Sequence, residues 1–195
     1  WFGIVGIACM GLNSRYAGND TLQGGNGEDV FDGGAGNDHV QGGAGNDTLN
    51  GGHGNNTYLF GRGDGQDLIQ TTNDSTAGKL NILQFKEGVQ PSDLVLKRVG
   101  GNYGSYTSLE VSIAGTTDKI TIEAFYYYDS PHTSYNPVQR FQFADGTSWD
   151  LAVITSKTLI SSDGDDLLVG TTASEVISGG LGNDVIAARG GDDRL

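Results

Sequence analysis

The chain reads as an all-β protein, with parallel coils of very short strands on either side of a mainly antiparallel β region. Three observations lead there. A nine-residue unit recurs in two separate blocks, the stretch between them alternates apolar and polar residues with period two, and only one short segment suggests a helix.

The first block holds GGNGEDVFD (24–32), GGAGNDHVQ (33–41), GGAGNDTLN (42–50) and GGHGNNTYL (51–59) without a slip in register. The second holds SSDGDDLLV (161–169), GTTASEVIS (170–178), GGLGNDVIA (179–187) and ARGGDDRL (188–195). Six residues make a turn, where glycines at positions one, two and four supply backbone angles that a Cβ resists. Three residues make a strand, whose middle position is Phe31, Val40, Leu49 or Tyr58 in one block and Leu168, Ile177, Ile186 or Leu195 in the other. One apolar residue in nine makes no core alone. Two units per coil, with coils stacked, gather these side chains into an internal stripe.

Position six is acidic. Stacking at eighteen residues places Asp20, Asp38 and Asn56 in one column, and Asp29, Asp47 and, after a two-residue insertion (Phe60 and Gly61), Asp67 in another. Carboxylates in a column repel unless a cation lies between them. Calcium suits the position because it takes six to eight hard oxygens, carboxylate and carbonyl alike, whereas magnesium keeps its waters and demands an octahedron. Ordinary turns or a disordered linker would also be rich in Gly, Asn and Asp, but neither needs one register throughout. A phosphate loop would need a following Gly-Lys-Ser/Thr, which is absent.

Composition agrees. The net charge is −13, of which residues 1–70 carry −6, residues 71–158 carry −2 and residues 159–195 carry −5. Such a chain repels nucleic acid and anionic membrane and invites divalent cations. Cys9 is the single cysteine, so no internal disulfide forms, and bound ions are the alternative clamp. No segment approaches the length of a membrane span. The apolar opening WFGIVGIACMG lacks a basic flank and reads as a degenerate lead-in over 1–14. The last unit stops short, as in a piece of a longer chain.

Between the blocks, strands are expected at 80–85, 93–99, 107–113, 118–125 and 138–143. Leu109, Val111 and Ile113, and then Ile120 and Ile122, mark buried faces. Ala144-Asp145-Gly146-Thr147 reads as a turn before Trp149, and 151–156 as a short helix.

GGAGNDTLNGGHGNNTYLFGRGDGQDLI resembles the RTX, or haemolysin-type calcium-binding, repeats of bacterial proteins exported by type I secretion. NILQFKEGVQPSDLVLKRV, LEVSIAGTTDKITIEAF and VQRFQFADGTSWDLAVI resemble the haemolysin-type calcium-binding protein related domain. The resemblance implies a right-handed parallel β-roll over 15–71, the related domain over 72–158 and a second roll over 159–195. It implies calcium ligands at Asp20, Asp29, Asp38, Asp47, Asp166, Asp184 and Asp193, with Asn56 and Asp67 at the modified units. Helping carbonyls would come from Gly25, Gly27, Gly34, Gly36, Gly43, Gly45, Gly52, Gly54, Gly180 and Gly182. Glu175 sits in a unit without the glycines, and no ion is expected there. The implied role is a calcium-binding structural module of a large secreted adhesin or toxin, outside the cell or at its surface, whose partners are calcium ions and neighbouring repeat modules. The alternatives are the accessory region of a secreted hydrolase and a carbohydrate-binding module that meets a cell-surface glycan.

Catalytic constellations are missing. His39, His53 and His132 form no zinc pattern, and the two in the repeats read as solvent-facing. There is no Gly-x-Ser-x-Gly turn. Cys9 has no basic neighbour in sequence and reads as packing. Arg62-Gly63-Asp64 spells an integrin-type tripeptide, but it lies where the repeat pattern closes. Adjacent aromatics Phe125-Tyr126-Tyr127-Tyr128, with Tyr135 and Trp149, must point both ways, so at least one is expected at the surface, where it could stack on a sugar.

Overall fold

The structure, a computed structural model, describes residues 12–100, 106–128, 130–161, 163–170 and 174–195. Cys9 and most of the lead-in lie outside them.

Successive nonapeptide units alternate between two sheets. One sheet receives β1 (Leu12–Ala17), β3 (Val30–Ala35), β5 (Thr48–Asn50) and β7 (Gln66–Ile69). The other receives β2 (Thr21–Gln23), β4 (His39–Gln41) and β6 (Thr57–Phe60), and β8 (Ile82–Phe85), from beyond the repeats, follows them. Neighbours in each sheet are parallel. Val30 pairs with Thr48 and His39 with Thr57, eighteen residues apart, while Thr48 pairs with Leu68 at the two-residue insertion. The apolar stripe forms as the period requires: Leu22, Phe31, Val40, Leu49, Tyr58 and Ile69 are all buried in one cluster. Each contributes about 1.5–3 kcal/mol by leaving water.

The middle region continues both sheets. β11 (Lys119–Tyr127) pairs parallel with β7, followed outward by β10 (Tyr106–Ile113) and β9 (Leu94–Val99), both antiparallel. In the other sheet β12 (Arg140–Gln142) pairs parallel with β8 and antiparallel with β13 (Ser148–Asp150). These sheets are therefore mixed, where the sequence suggested a mainly antiparallel middle. The physical reason is that β7 and β6 present open parallel edges, and β11 and β8 add to them rather than starting a new sheet. The core cluster runs from Leu22 to Ile154 without a break, and includes Phe85, Phe125, Phe141 and Trp149. The short helix α1 (Leu151–Lys157) is capped by Asp150, whose Oδ1 accepts from Val153 N at 3.0 Å.

The second block forms β14 (Leu167–Val169) and β15 (Val185–Ala187), paired parallel at eighteen residues. Leu168 and Ile177 are buried, but Val176, Leu181, Val185 and Leu195 are exposed. No helix among the described residues is long and apolar enough to cross a membrane.

Candidate metal centres

Several turn positions leave no room for a side chain. At Gly45 the backbone has φ +147°, and a Cβ would lie 2.1 Å from Gly27 O, one coil below. Gly54, Gly43 and Gly52 stand in the same way over Gly36, Gly25 and Gly34. A Cβ on Gly42 would lie 2.1 Å from Asp47 Oδ2, and one on Gly33 would lie 2.4 Å from Asp38 Oδ2. The position-one glycine thus roofs the position-six acid.

Both expected columns exist, joined by a hydrogen-bond ladder. Asp38 Oδ1 accepts from Asp20 N at 2.8 Å, and Asn56 Oδ1 from Asp38 N at 2.9 Å. In the other column Asp47 Oδ1 accepts from Asp29 N at 2.8 Å, and Asp67 Oδ1 from Asp47 N at 3.0 Å. In the second block Asp184 Oδ1 accepts from Asp166 N at 3.0 Å, and Asp193 Oδ1 from Glu175 N at 2.9 Å. Glu175 therefore keeps its place in the ladder although its unit lacks the glycines. Each ladder bond occupies one carboxylate oxygen and leaves the other to find a partner.

Two of those second oxygens have none. Asp38 Oδ2 and Asp47 Oδ2 are buried without a hydrogen-bond partner, and such orphans are costly in a folded chain. The electrostatics carry the same message. Burial pushes Asp38 up to about 6; the bond from Asp20 N opposes this, and the charges of Asp20 and Asp32 add to it. Burial likewise pushes Asp67 up to about 7, against the bond from Asp47 N and with the charges of Asp47 and Asp64. Asp47 is raised for the same leading reason. These carboxylates need positive charge.

The donor set is made of hard oxygens: carboxylates, the Asn56 amide and turn carbonyls. Gly25 O and Gly34 O each accept one bond from the next coil, from Ala44 N and His53 N at 2.8 Å, and a carbonyl retains a second lone pair. Among the described residues no three His, Cys, Asp or Glu side chains converge. That is the expected result when each coil supplies one acid to a column and the backbone supplies the remaining oxygens. Orphaned oxygens, roofs that exclude a Cβ and an all-oxygen donor set fit calcium.

Comparison with known families decides the point. The model of the RTX calcium-binding nonapeptide repeat (4 copies) matches residues 16–40, 32–67 and 160–195. These are RTX repeats, and they bind Ca2+. The haemolysin-type calcium binding protein related domain matches residues 109–153 between them. No curated protein matches the chain. Both matched families are calcium-binding, and neither match is to a catalytic family.

Two further sets of residues hold the RTX stack. Asn81 closes the first column, accepting from Asn56 N at 2.7 Å; twenty-five residues separate the two, outside the period of the repeats. Position five forms a second, exposed ladder of opposite sense. Asn19 Oδ1 accepts from Asn37 N at 2.8 Å, Asn37 Oδ1 from Asn55 N at 2.9 Å, and Asn55 Oδ1 from Leu80 N at 2.8 Å. Asp165 does the same for Asn183 N. Its signal in the sequence is the recurrence of Asn before position six, at Asn19, Asn37, Asn46 and Asn55.

The remaining candidates resolve by burial. Asp64 is buried against Lys86, and Arg62 reaches Asp93 at 2.9 Å and the carbonyls of Gly88 and Ala114, so the tripeptide is built into the joint. His39 and His132 are exposed. His53 is also exposed but not idle: its Nδ1 lies 3.3 Å from Asp74, a buried acid. Burial would raise Asp74, but bonds from Thr76, Gly54 N and His53 outweigh it and hold it well below the carboxylate range. Phe125, Tyr126 and Trp149 are buried. Tyr127, Tyr128 and Tyr135 instead gather with Tyr106 in a surface cluster. Tyr106 and Tyr127 stack at 4.5 Å, and Tyr127 lies 4.5 Å from Tyr128 and 5.0 Å from Tyr135.

Proposed function

We propose that this chain is a calcium-binding structural and folding module of a large secreted bacterial RTX protein, an adhesin or toxin, and that it folds when calcium enters its acid columns outside the cell. In this reading residues 15–71 and 159–195 are right-handed parallel β-rolls, and residues 72–158 are the related domain between them. Asp20, Asp29, Asp38, Asp47, Asp67, Asp184 and Asp193 supply carboxylates, Asn56 an amide oxygen, and the turn glycines carbonyls; Asp166, which the resemblance also implies as a ligand, instead faces Lys97. The observation that carries the reading is the pair of buried, partnerless oxygens on Asp38 and Asp47. In low-calcium cytosol those columns repel and the chain stays extended and exportable. At ~1 mM calcium and a dissociation constant near ~0.1 mM, each ion contributes about 1.4 kcal/mol. Because each ion joins two coils that must both exist, folding is steep in calcium. Circular dichroism across a calcium titration tests this. A strong β signal that persists in excess chelator contradicts it.

One observation favours a second activity, recognition of an uncharged glycan. Tyr106 and Tyr128 are 46% and 67% exposed within the four-tyrosine cluster, and such rings stack on the C–H face of a sugar while their hydroxyls reach its polar rim. A glycan array probed with the calcium-loaded chain, against Tyr127→Ala, checks it; equal signals from both proteins exclude the cluster.

A further inference from the structure

The ladder has a boundary problem. Inside a stack, Oδ1 of each position-six acid accepts from the backbone of the coil before it. The residue eighteen before Asp166, the first acid of the second block, is Ser148, which belongs to β13 in another sheet. Asp166 is nonetheless buried. Its Oδ1 meets Lys97 Nζ at 3.1 Å, and the same ammonium donates to Asp165 O at 2.9 Å. One carboxylate oxygen and one turn carbonyl are the oxygen types a calcium ion takes in these coils.

The closing end of the first block is arranged alike. Asp64, buried beside the insertion, places Oδ1 2.7 Å from Lys86 Nζ and accepts from Gly61 N through Oδ2 at 2.8 Å. Lys86 directly follows β8 and Lys97 lies on β9, so both cations come from the middle region. Asp20, which opens the first block, has no lysine within ion-pair distance among the described residues.

We propose that the middle region ends each acid-rich stack with a fixed cation, Lys86 at Asp64 and Lys97 at Asp166, so that both joints are neutralised by an ammonium and not by calcium. The inference rests on the calcium reading above and adds which positions calcium does not serve. A tethered charge acts at any calcium concentration, so the second stack is started on β9 before its own ions arrive. Lys97 is then a positioning residue for the second block.

The test is amide hydrogen exchange on the whole chain across a calcium titration, reading β14–β15 and β3–β5 separately. Lys97→Met is expected to raise the calcium midpoint for protection of Leu167–Val169 and Val185–Ala187 by about 5- to 10-fold, with β3–β5 unmoved. Lys97→Arg, which keeps the charge, should restore the midpoint. Lys119→Met, which breaks a surface pair with Glu110, should move neither block. An unmoved β14–β15 midpoint in Lys97→Met overturns the proposal, as does an equal shift in both blocks or failure of Lys97→Arg to rescue. If wild-type protection does not depend on calcium at all, the calcium reading and this inference fall together, whereas failure of the Lys97 pattern alone leaves the calcium reading standing.

Discussion

The two repeat blocks share a nine-residue unit and differ in what their coils rest on. In the first, four strands stack in one sheet and three in the other, and the middle region adds further strands to both, so every strand-centre residue from Leu22 to Ile69 is buried. In the second, two strands pair, and only Leu168 and Ile177 of the stripe are buried while Leu195 is 73% exposed. A repeat unit thus has no intrinsic burial. Its apolar residue becomes core only to the extent that neighbouring coils or a foreign strand cover it, which is why stacks depend on their ends.

The sharpest way to break the first block is at a turn. Gly45→Ala places a methyl 2.1 Å from Gly27 O at φ +147°; a loss above about 3 kcal/mol is expected by calcium-saturated thermal melting, since steric and backbone strain add. Next comes the core contrast. Leu49→Ala should cost about 2–5 kcal/mol, whereas Val185→Ala, at 51% exposure in the second block, should stay within about 0.5 kcal/mol; chemical denaturation of each variant compares them.

Acidity probes the columns themselves. In chelator, burial holds the folded-state values of Asp38 and Asp67 at about 6 and about 7, above the ordinary carboxylate value of 3.8. The folded chain then binds more protons than the unfolded one, so the contribution of these two groups to stability is fully present below about pH 4 and is lost as pH rises through 6–7. Hydrogen exchange of β5 amides in chelator should therefore speed up across that window beyond its intrinsic rise. Calcium, which binds the deprotonated carboxylates, should remove the effect. The smallest effect belongs to position five: Asn37→Ala removes the acceptor for Asn55 N and should cost about 0.5–1.5 kcal/mol, measured as a shift in the calcium-loaded melting temperature.

Much of the site was legible because a period is a geometric statement. Eighteen residues per coil places Asp20 under Asp38 and Asp29 under Asp47 whatever else the chain does, and the two-residue insertion carries Asp67 into the second column at Thr48 and Leu68. The position-five ladder escaped because amide acceptors add no charge or apolar signal to the pattern, although Asn recurs there. Asn81 escaped because twenty-five residues separate it from Asn56, and nothing in that segment announces that β8 will join the stack.

The sequence alone determined the coil: glycine where a Cβ cannot fit, an acid where oxygens must gather, one apolar residue per strand. Only the tertiary structure decided how the stacks end. Long-range pairings joined β8 and β11 to the open edges of the repeats, turned the expected middle layer into an extension of both sheets, and brought Lys86 and Lys97 onto Asp64 and Asp166. Those contacts link residues without shared periodicity, so their energy comes from which edges and charges remain unsatisfied once the coils have formed.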